Sequence, residues 1–467
     1  MAFINTIYPK QNLLNFNNLP LLLIISLERI SWWILIIQFP IYLTQKGING
    51  LNWEQIHKGY LYSVWAILQN ISPIFLAFII DKIGKGTSIK ISLSFIFLSY
   101  LLLSYFGNGY LISIAIFIFA VFSGSLKVST LSLYSKINSK NISKYHWAFY
   151  VFIINFSIFF IGTPLAFYLK SISWSAVFLG SAFCILVAYF ISYLLNSDTK
   201  IVENEGITTQ KVNISTEIDN LKSILKNKNY VIPIIAMSSF YIIYMIFYEY
   251  LPNYIFDWIN TNDLITQFGV SDKLQIETSL GQQISYEWFY NLNTGSIILL
   301  IFPITFIIHK FKTNTISALI LGLILITFGI YLCFAFNIGL ALSVGILIYT
   351  LGEMICNLFL LKWAEENSTP NNEAKYFGFL NIASTIGYVI ASISGSIYFK
   401  QIAEKSSIIK ANNFNYKLTN LQITNELWDK FLPYTYIYPF IIIGIISVIV
   451  LVVVRMKKNN FNVKSFL

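Results

Sequence analysis

Twelve apolar runs dominate this sequence, each near the roughly 20 residues that a helix needs to cross a bilayer. They fall at about 20–44, 57–80, 88–106, 110–135, 147–170, 173–196, 230–258, 289–309, 314–336, 338–363, 376–400 and 432–455. Lipid offers the backbone no hydrogen-bond partner, so each run has to satisfy its own N–H and C=O groups by becoming a helix. The composition agrees. Of 467 residues, 56% are hydrophobic and 11% charged, against about 25% charged in a soluble chain. An all-α membrane protein with twelve transmembrane helices is expected. Residues 1–19 are polar and Asn-rich and the first run is long enough to stay as a helix, so a cleaved signal peptide is not expected.

The longest polar gap, 197–229, divides the runs six and six. The expected organisation is an N-terminal bundle over 1–196, a cytoplasmic linker over 197–229 and a C-terminal bundle over 230–467, the layout of a two-bundle transporter with its site near the bilayer midplane. Within the linker, "TEIDNLKSILKN" spaces its apolar residues as a short amphipathic helix would, although a plain linker is the simpler reading. The net charge of +10 reads as topology rather than as affinity for nucleic acid. Lys82, Lys85 and Lys90, then Lys136, Lys140 and Lys144, then Lys310 and Lys312, then Arg455, Lys457 and Lys458 all follow even-numbered runs. Basic residues collect on the cytoplasmic side, so both termini are expected inside, in the plasma (inner) membrane. Cys184, Cys333 and Cys356 lie in apolar runs without metal-ligand spacing, and His57, His146 and His309 lie at run boundaries. Neither a metal, a cofactor nor an enzyme's catalytic set is implied.

Few ionisable groups remain well inside the runs: Glu28, Arg29, Lys127, Glu249 and Glu353. Each costs about 2.5–3.5 kcal/mol facing lipid at mid-membrane, so they are expected to face one another or an aqueous chamber. Two positives against three negatives leave one carboxylate over, which can take up a proton without leaving an unpaired buried charge. A structural ion-pair network is the competing reading.

Several short stretches resemble known motifs. "FIIDKIGKG" (Phe78–Gly86) is similar to the loop between the second and third helices of the major facilitator superfamily, matching it at Asp81, Lys82, Gly84 and Lys85 as an inner-gate motif. Within that superfamily, the chain resembles the proton-dependent oligopeptide transporters (POT/PTR family). "ERISWW" resembles the end of Glu-x-x-Glu-Arg-Phe-x-Tyr-Tyr, with Glu28 and Arg29 matching and Trp32 and Trp33 in place of two tyrosines. "SGSLKVS" places Lys127, "FYVFIIN" ends on Asn155, "WFYNLN" ends on Asn293 and "TLGEMICN" places Glu353. "FYEYLPNY" is a looser match that sets Glu249 at a gating position. The departure is Ile25, where that family has the first glutamate of its opening motif.

The resemblance implies a major facilitator fold and an importer of di- and tripeptides, working by proton symport through alternating access. In that reading Arg29 and Lys127 receive the peptide carboxylate, Arg29 through a two-pronged fork, and Glu353 pairs with the amine. Asn155 and Asn293 hydrogen-bond the termini, and Trp32, Trp33, Tyr62 and Tyr150 line apolar pockets. Glu28, Glu249, Glu353 and Lys127 are the candidates for proton coupling and gating. Small peptides, protons and the lipid bilayer are the expected partners, with the monomer as the working unit. The alternative is a carrier of the same superfamily for another small solute, an amino acid derivative or an anion, without obligatory proton coupling, since Ile25 removes a family carboxylate.

Overall fold

The computed structural model describes residues 19–45, 50–105, 109–138, 146–195, 225–278, 280–311, 314–367, 373–411 and 421–464. Helices occupy all twelve apolar runs. The first half contains α1 (Leu19–Thr44), α2 (Gln55–Ile83), α3 (Lys85–Tyr105), α4 (Gly109–Asn138), α5 (His146–Ser157), α6 (Thr163–Ile172) and α7 (Trp174–Ile191). A π-helical turn at Ile158–Gly162 joins α5 to α6 in one pass. The seventh pass is broken into α8 (Lys228–Ala236), α9 (Ser238–Glu249) and α10 (Leu251–Trp258). There follow α11 (Asn262–Phe268), the antiparallel hairpin β1 (Gln275–Thr278) and β2 (Gly281–Ile284), and α12 (Tyr286–Phe311). The chain then forms α13 (Thr315–Ala335), α14 (Gly339–Asn367), α15 (Glu373–Tyr398), α16 (Lys405–Ala411), α17 (Leu421–Phe431) and α18 (Tyr438–Lys464). Eleven spans among the described residues are long and apolar enough to cross a membrane. The 29-residue α2 lies on the remaining expected run. The amphipathic helix expected within 216–227 lies largely outside the described residues, as does most of the 197–229 linker.

The breaks have local causes. Gly84 takes a left-handed φ of 82° between α2 and α3, a conformation glycine adopts without steric cost, and so ends one helix four residues before Ser88 bonds back to its carbonyl. Asp81, Lys82 and Lys85 flank this turn in sequence; the side chains of Asp81 and Lys82 lie outside the described residues, and Lys85 is half-buried. Pro252 opens α10 and has no N–H to give to the preceding turn, so the seventh pass is interrupted beside Glu249. Where polar caps are present they start helices in the ordinary way: the Ser173 hydroxyl accepts from the Ala176 N–H at 3.0 Å before α7.

Contacts group the chain into two units, one spanning 1–53, 61–210 and 294–310 and the other 54–60, 211–293 and 311–467. In the first, α1 packs against α7 and the α5–α6 pass. Buried polar groups tie these helices: Trp33 donates to the Thr163 hydroxyl at 2.9 Å, Ser31 to the Ser181 carbonyl at 3.1 Å and Tyr100 to the Ser31 carbonyl at 3.1 Å. In the second, α13 and α14 run in close contact through small residues. A Cβ on Gly352 would fall 2.4 Å from the Ile326 backbone nitrogen, so only glycine permits this approach. The segment between α10 and α12 is tied to the helix bundle of its own unit. Asp263 accepts from the Gly339 and Leu340 N–H groups at 3.1 and 2.7 Å, capping the N-terminus of α14.

Candidate functional site

The first unit holds a charged cluster on α1, α4 and α5. Glu28 is buried, and the Arg29 guanidinium forms a two-pronged pair with it, Nε to Oε2 and Nη2 to Oε1, the latter at 2.6 Å. Successive residues point about 100° apart on a helix, so this adjacent pair forms only because both side chains curl toward each other. Trp32, one turn after Arg29, presents its ring to the guanidinium at 5.2 Å, a cation–π contact. The Trp32 indole N–H is itself buried, with no acceptor among the described residues. Lys127 on α4 lies within electrostatic reach of both Arg29 and Glu28, and so does Tyr150 on α5. Lys127 is exposed, and no carboxylate among the described residues comes within ion-pair distance of it. With Glu28 matched to Arg29, the cluster keeps one unmatched positive charge.

The second unit holds two carboxylates in different settings. Glu353 on α14 is 6% exposed and accepts one hydrogen bond, from the Asn293 amide to Oε2 at 3.0 Å. The same amide donates to the Thr350 hydroxyl at 2.9 Å, which fixes the amide against α14. No cation among the described residues lies within 4.0 Å of Glu353. Glu249, at the end of α9, is fully buried and accepts from the Ser392 hydroxyl at 2.6 Å. Beside it sits Lys58, also fully buried. Its ammonium donates to the Glu249 main-chain carbonyl at 3.0 Å and to Asn253 Oδ1 at 3.2 Å, and lies 4.2 Å from the Tyr250 ring centroid.

Lys58 escaped the sequence reading because it stands at the start of a run, among Glu54, Gln55 and His57, and reads as a solvated helix end. Its burial goes with the close helix approach at the adjacent Gly59, whose Cβ would fall 2.3 Å from the Ser392 carbonyl, a contact that leaves no mark in the sequence. Lys58 is a buried cation beyond those singled out from sequence, and Glu287 near the start of α12 is likewise a further buried carboxylate. Glu28 has Arg29 and Glu249 has Lys58 nearby, while neither Lys127 nor Glu353 has an ion-pair partner among the described residues.

The other expected residues are placed as follows. Asn155 is 9% exposed and donates to the Val151 carbonyl one turn back at 2.9 Å. Trp33 is buried and committed to Thr163. Tyr62 is buried between the rings of Phe39 and Trp65, with centroids 6.0 and 5.4 Å away. Tyr150 is half-buried and packs on Tyr134 at 5.2 Å. Ile25 is buried at 3% exposure, so the position of the missing carboxylate is an apolar contact.

A multi-pass helical membrane protein with ionisable side chains held inside its helices has the features of a transporter, and the family match makes it one. The chain belongs to the major facilitator superfamily, whose family model matches residues 21–392. No curated protein matches it by sequence. Among solved structures it is similar to a point mutant of the nucleoside transporter NupG, with a TM-score of 0.69 at 12% identity, covering 94% of this chain and 99% of that one. It is likewise similar to the peptide transporter POT in complex with sulfate, at 0.69 and 13%, covering 95% and 94%. A POT family transporter in complex with 5-aminolevulinic acid gives 0.68 and 13%, covering 94% and 95%. At these identities the likeness is one of fold.

Proposed function

We propose that this protein is a proton-coupled carrier of di- and tripeptides of the oligopeptide transporter type, working by alternating access in the plasma membrane as a monomer with both termini cytoplasmic. The observation that carries the reading is that, among the described residues, neither Lys127 of the first unit nor Glu353 of the second has an ion-pair partner. A peptide is a zwitterion, and it supplies a carboxylate for Lys127 and Arg29 and an ammonium for Glu353. Asn293 supports this role by orienting Glu353. Glu28 is the first candidate for proton coupling, because its carboxylate accepts both prongs of the Arg29 guanidinium, the group proposed to receive the substrate's anionic end. Glu249, beside Lys58, is the second candidate.

A second reading is favoured by Ile25: the same charge pair fits any small solute with an ammonium and a carboxylate. One structural neighbour holds 5-aminolevulinic acid, a solute of that kind. Uptake into proteoliposomes of a labelled dipeptide, competed by 5-aminolevulinic acid and by unlabelled dipeptide, separates the two. Competition by dipeptide at far lower concentration supports the peptide carrier; competition only by the amino acid supports the second reading.

A further inference from the structure

Two basic helix ends meet at one end of the second unit. The seventh and twelfth passes run in opposite directions, and their helices α8, α9 and α18 pack together. They cross closely at Gly444, where a Cβ would fall 3.4 Å from Ile243 Cδ1. From that crossing Lys228 lies 15 residues back along the seventh pass, and Lys457 lies 13 residues on along the twelfth. At about 1.5 Å per residue both stand about 20 Å toward the same end. Lys226 and Arg455 are each two residues from them, and all four side chains are exposed. Among the described residues none of the four forms an ion pair with a carboxylate. The start of α8 is held in place: the Asn227 side chain accepts from the Tyr230 N–H at 3.3 Å, and the Tyr230 hydroxyl donates to the Tyr376 carbonyl on α15 at 2.7 Å.

A second observation concerns the surface next to these cations. The same helices expose large aliphatic side chains, Ile232 and Ile235 on α8 and Ile446, Ile449 and Val453 on α18. Both helices belong to spans long and apolar enough to cross a membrane, so an aliphatic strip of this kind suits acyl chains. Cations at the end of an apolar strip match the build of a phospholipid, charged at its head and apolar along its tails. A zwitterionic headgroup brings an ammonium of its own, which four unpaired cations repel. An anionic headgroup brings net negative charge, and basic pockets between membrane helices bind such headgroups.

We propose that Lys226, Lys228, Arg455 and Lys457 form a binding site for the headgroup of an anionic phospholipid from the leaflet around that end, with its acyl chains along the aliphatic strip. One headgroup phosphate then engages cations of both passes at once, Arg455 through its guanidinium fork and the lysines as point charges. A lipid held this way ties the seventh pass to the twelfth and stabilises the folded second unit by mass action. The site stands apart from Glu353 and Lys127, and it does not depend on which solute the protein carries.

The test is thermal unfolding of the full-length protein in a neutral detergent, titrated with dioctanoyl phosphatidylglycerol, dioctanoyl phosphatidylcholine or glycerol phosphate. The phosphatidylglycerol raises the midpoint by several degrees and saturates, while the other two shift it by less than about one degree. A variant carrying Lys228→Gln, Arg455→Gln and Lys457→Gln needs at least tenfold more phosphatidylglycerol for half the shift. A control carrying Lys136→Gln, Lys140→Gln and Lys144→Gln loses the same formal charge from another basic segment and stays within twofold of wild type. Gel filtration confirms that each variant is folded, and the wild-type lipid series stands without them. Equal shifts from phosphatidylcholine overturn the selection for an anionic headgroup. Equal shifts from glycerol phosphate show a site for free phosphate and overturn the lipid. No shift from phosphatidylglycerol, a shift that survives in the site variant, or equal losses in the two variants overturns the site.

Discussion

Lys58 and Glu249, 191 residues apart in sequence, meet through the main chain: the lysine ammonium donates to the glutamate's own carbonyl oxygen at 3.0 Å. The carboxylate turns the other way, to Ser392 at 2.6 Å. This arrangement exists because the seventh pass breaks before Pro252, which leaves the Glu249 carbonyl available to an outside donor.

Replacing Lys58 tests that bond. Lys58→Met leaves the Glu249 carbonyl and Asn253 Oδ1 buried without their shared donor, and a lost partner of this kind costs about 1–3 kcal/mol. A lower thermal midpoint and at least tenfold slower uptake are expected. Because the two residues share one cluster, Lys58→Met and Glu249→Gln are expected to be non-additive by about 0.5–3 kcal/mol in a double-mutant cycle. Strictly additive effects would show that the two side chains act independently.

Glycine at 352 sets the position of Glu353. In Gly352→Val the new side chain meets the Ile326 backbone nitrogen, where even a Cβ would sit at 2.4 Å. Overpacking of this order costs about 1–3 kcal/mol, and displacement of α14 carries Glu353 with it, so uptake falls at least tenfold. Gly269 supplies the contrast. Its φ of 61° suits asparagine and nothing lies within 4 Å of a Cβ there, so Gly269→Asn changes neither the thermal midpoint nor uptake.

Glu54, just ahead of α2, bonds Lys400 at 2.7 Å, and this hydrogen bond and charge hold its carboxyl below the usual glutamate range. A depressed carboxylate contributes stability above its unfolded pKa of about 4.3. The contribution is lost as pH falls through the lower, folded value. The difference in midpoint between wild type and Glu54→Gln is therefore level from about pH 7 to 5.5 and shrinks as pH falls below about 4.3, through the folded value. Both side chains are substantially exposed, so the difference is small and shrinks further in high salt. A difference that grows as pH falls would contradict the pair.

The helices and their order were legible because a spanning run is written in length and hydropathy, and Glu28, Arg29, Lys127 and Glu353 stood out against it. Side-chain direction was less legible. Trp32 and Trp33 are neighbours in sequence, yet Trp32 sits over Arg29 and Trp33 is buried against Thr163. Helical spacing puts residue i+3 on the face of residue i, which favours Trp32 as the partner of Arg29. Tyr241, Tyr244 and Tyr248 follow the same rule on α9, but in a chain with 17% aromatic residues their stripe did not stand out. Lys58 could not be read at all without the approach of its helix to Ser392, a contact made between residues distant in sequence.

The most direct measurement is counterflow of a labelled dipeptide into proteoliposomes, with and without an inward proton gradient, for wild type, Lys127→Ala and Glu353→Gln. The account predicts saturable wild-type exchange that accumulates further when the gradient is imposed, with exchange abolished in both variants although each remains monodisperse. Wild-type rates surviving in both variants would contradict it.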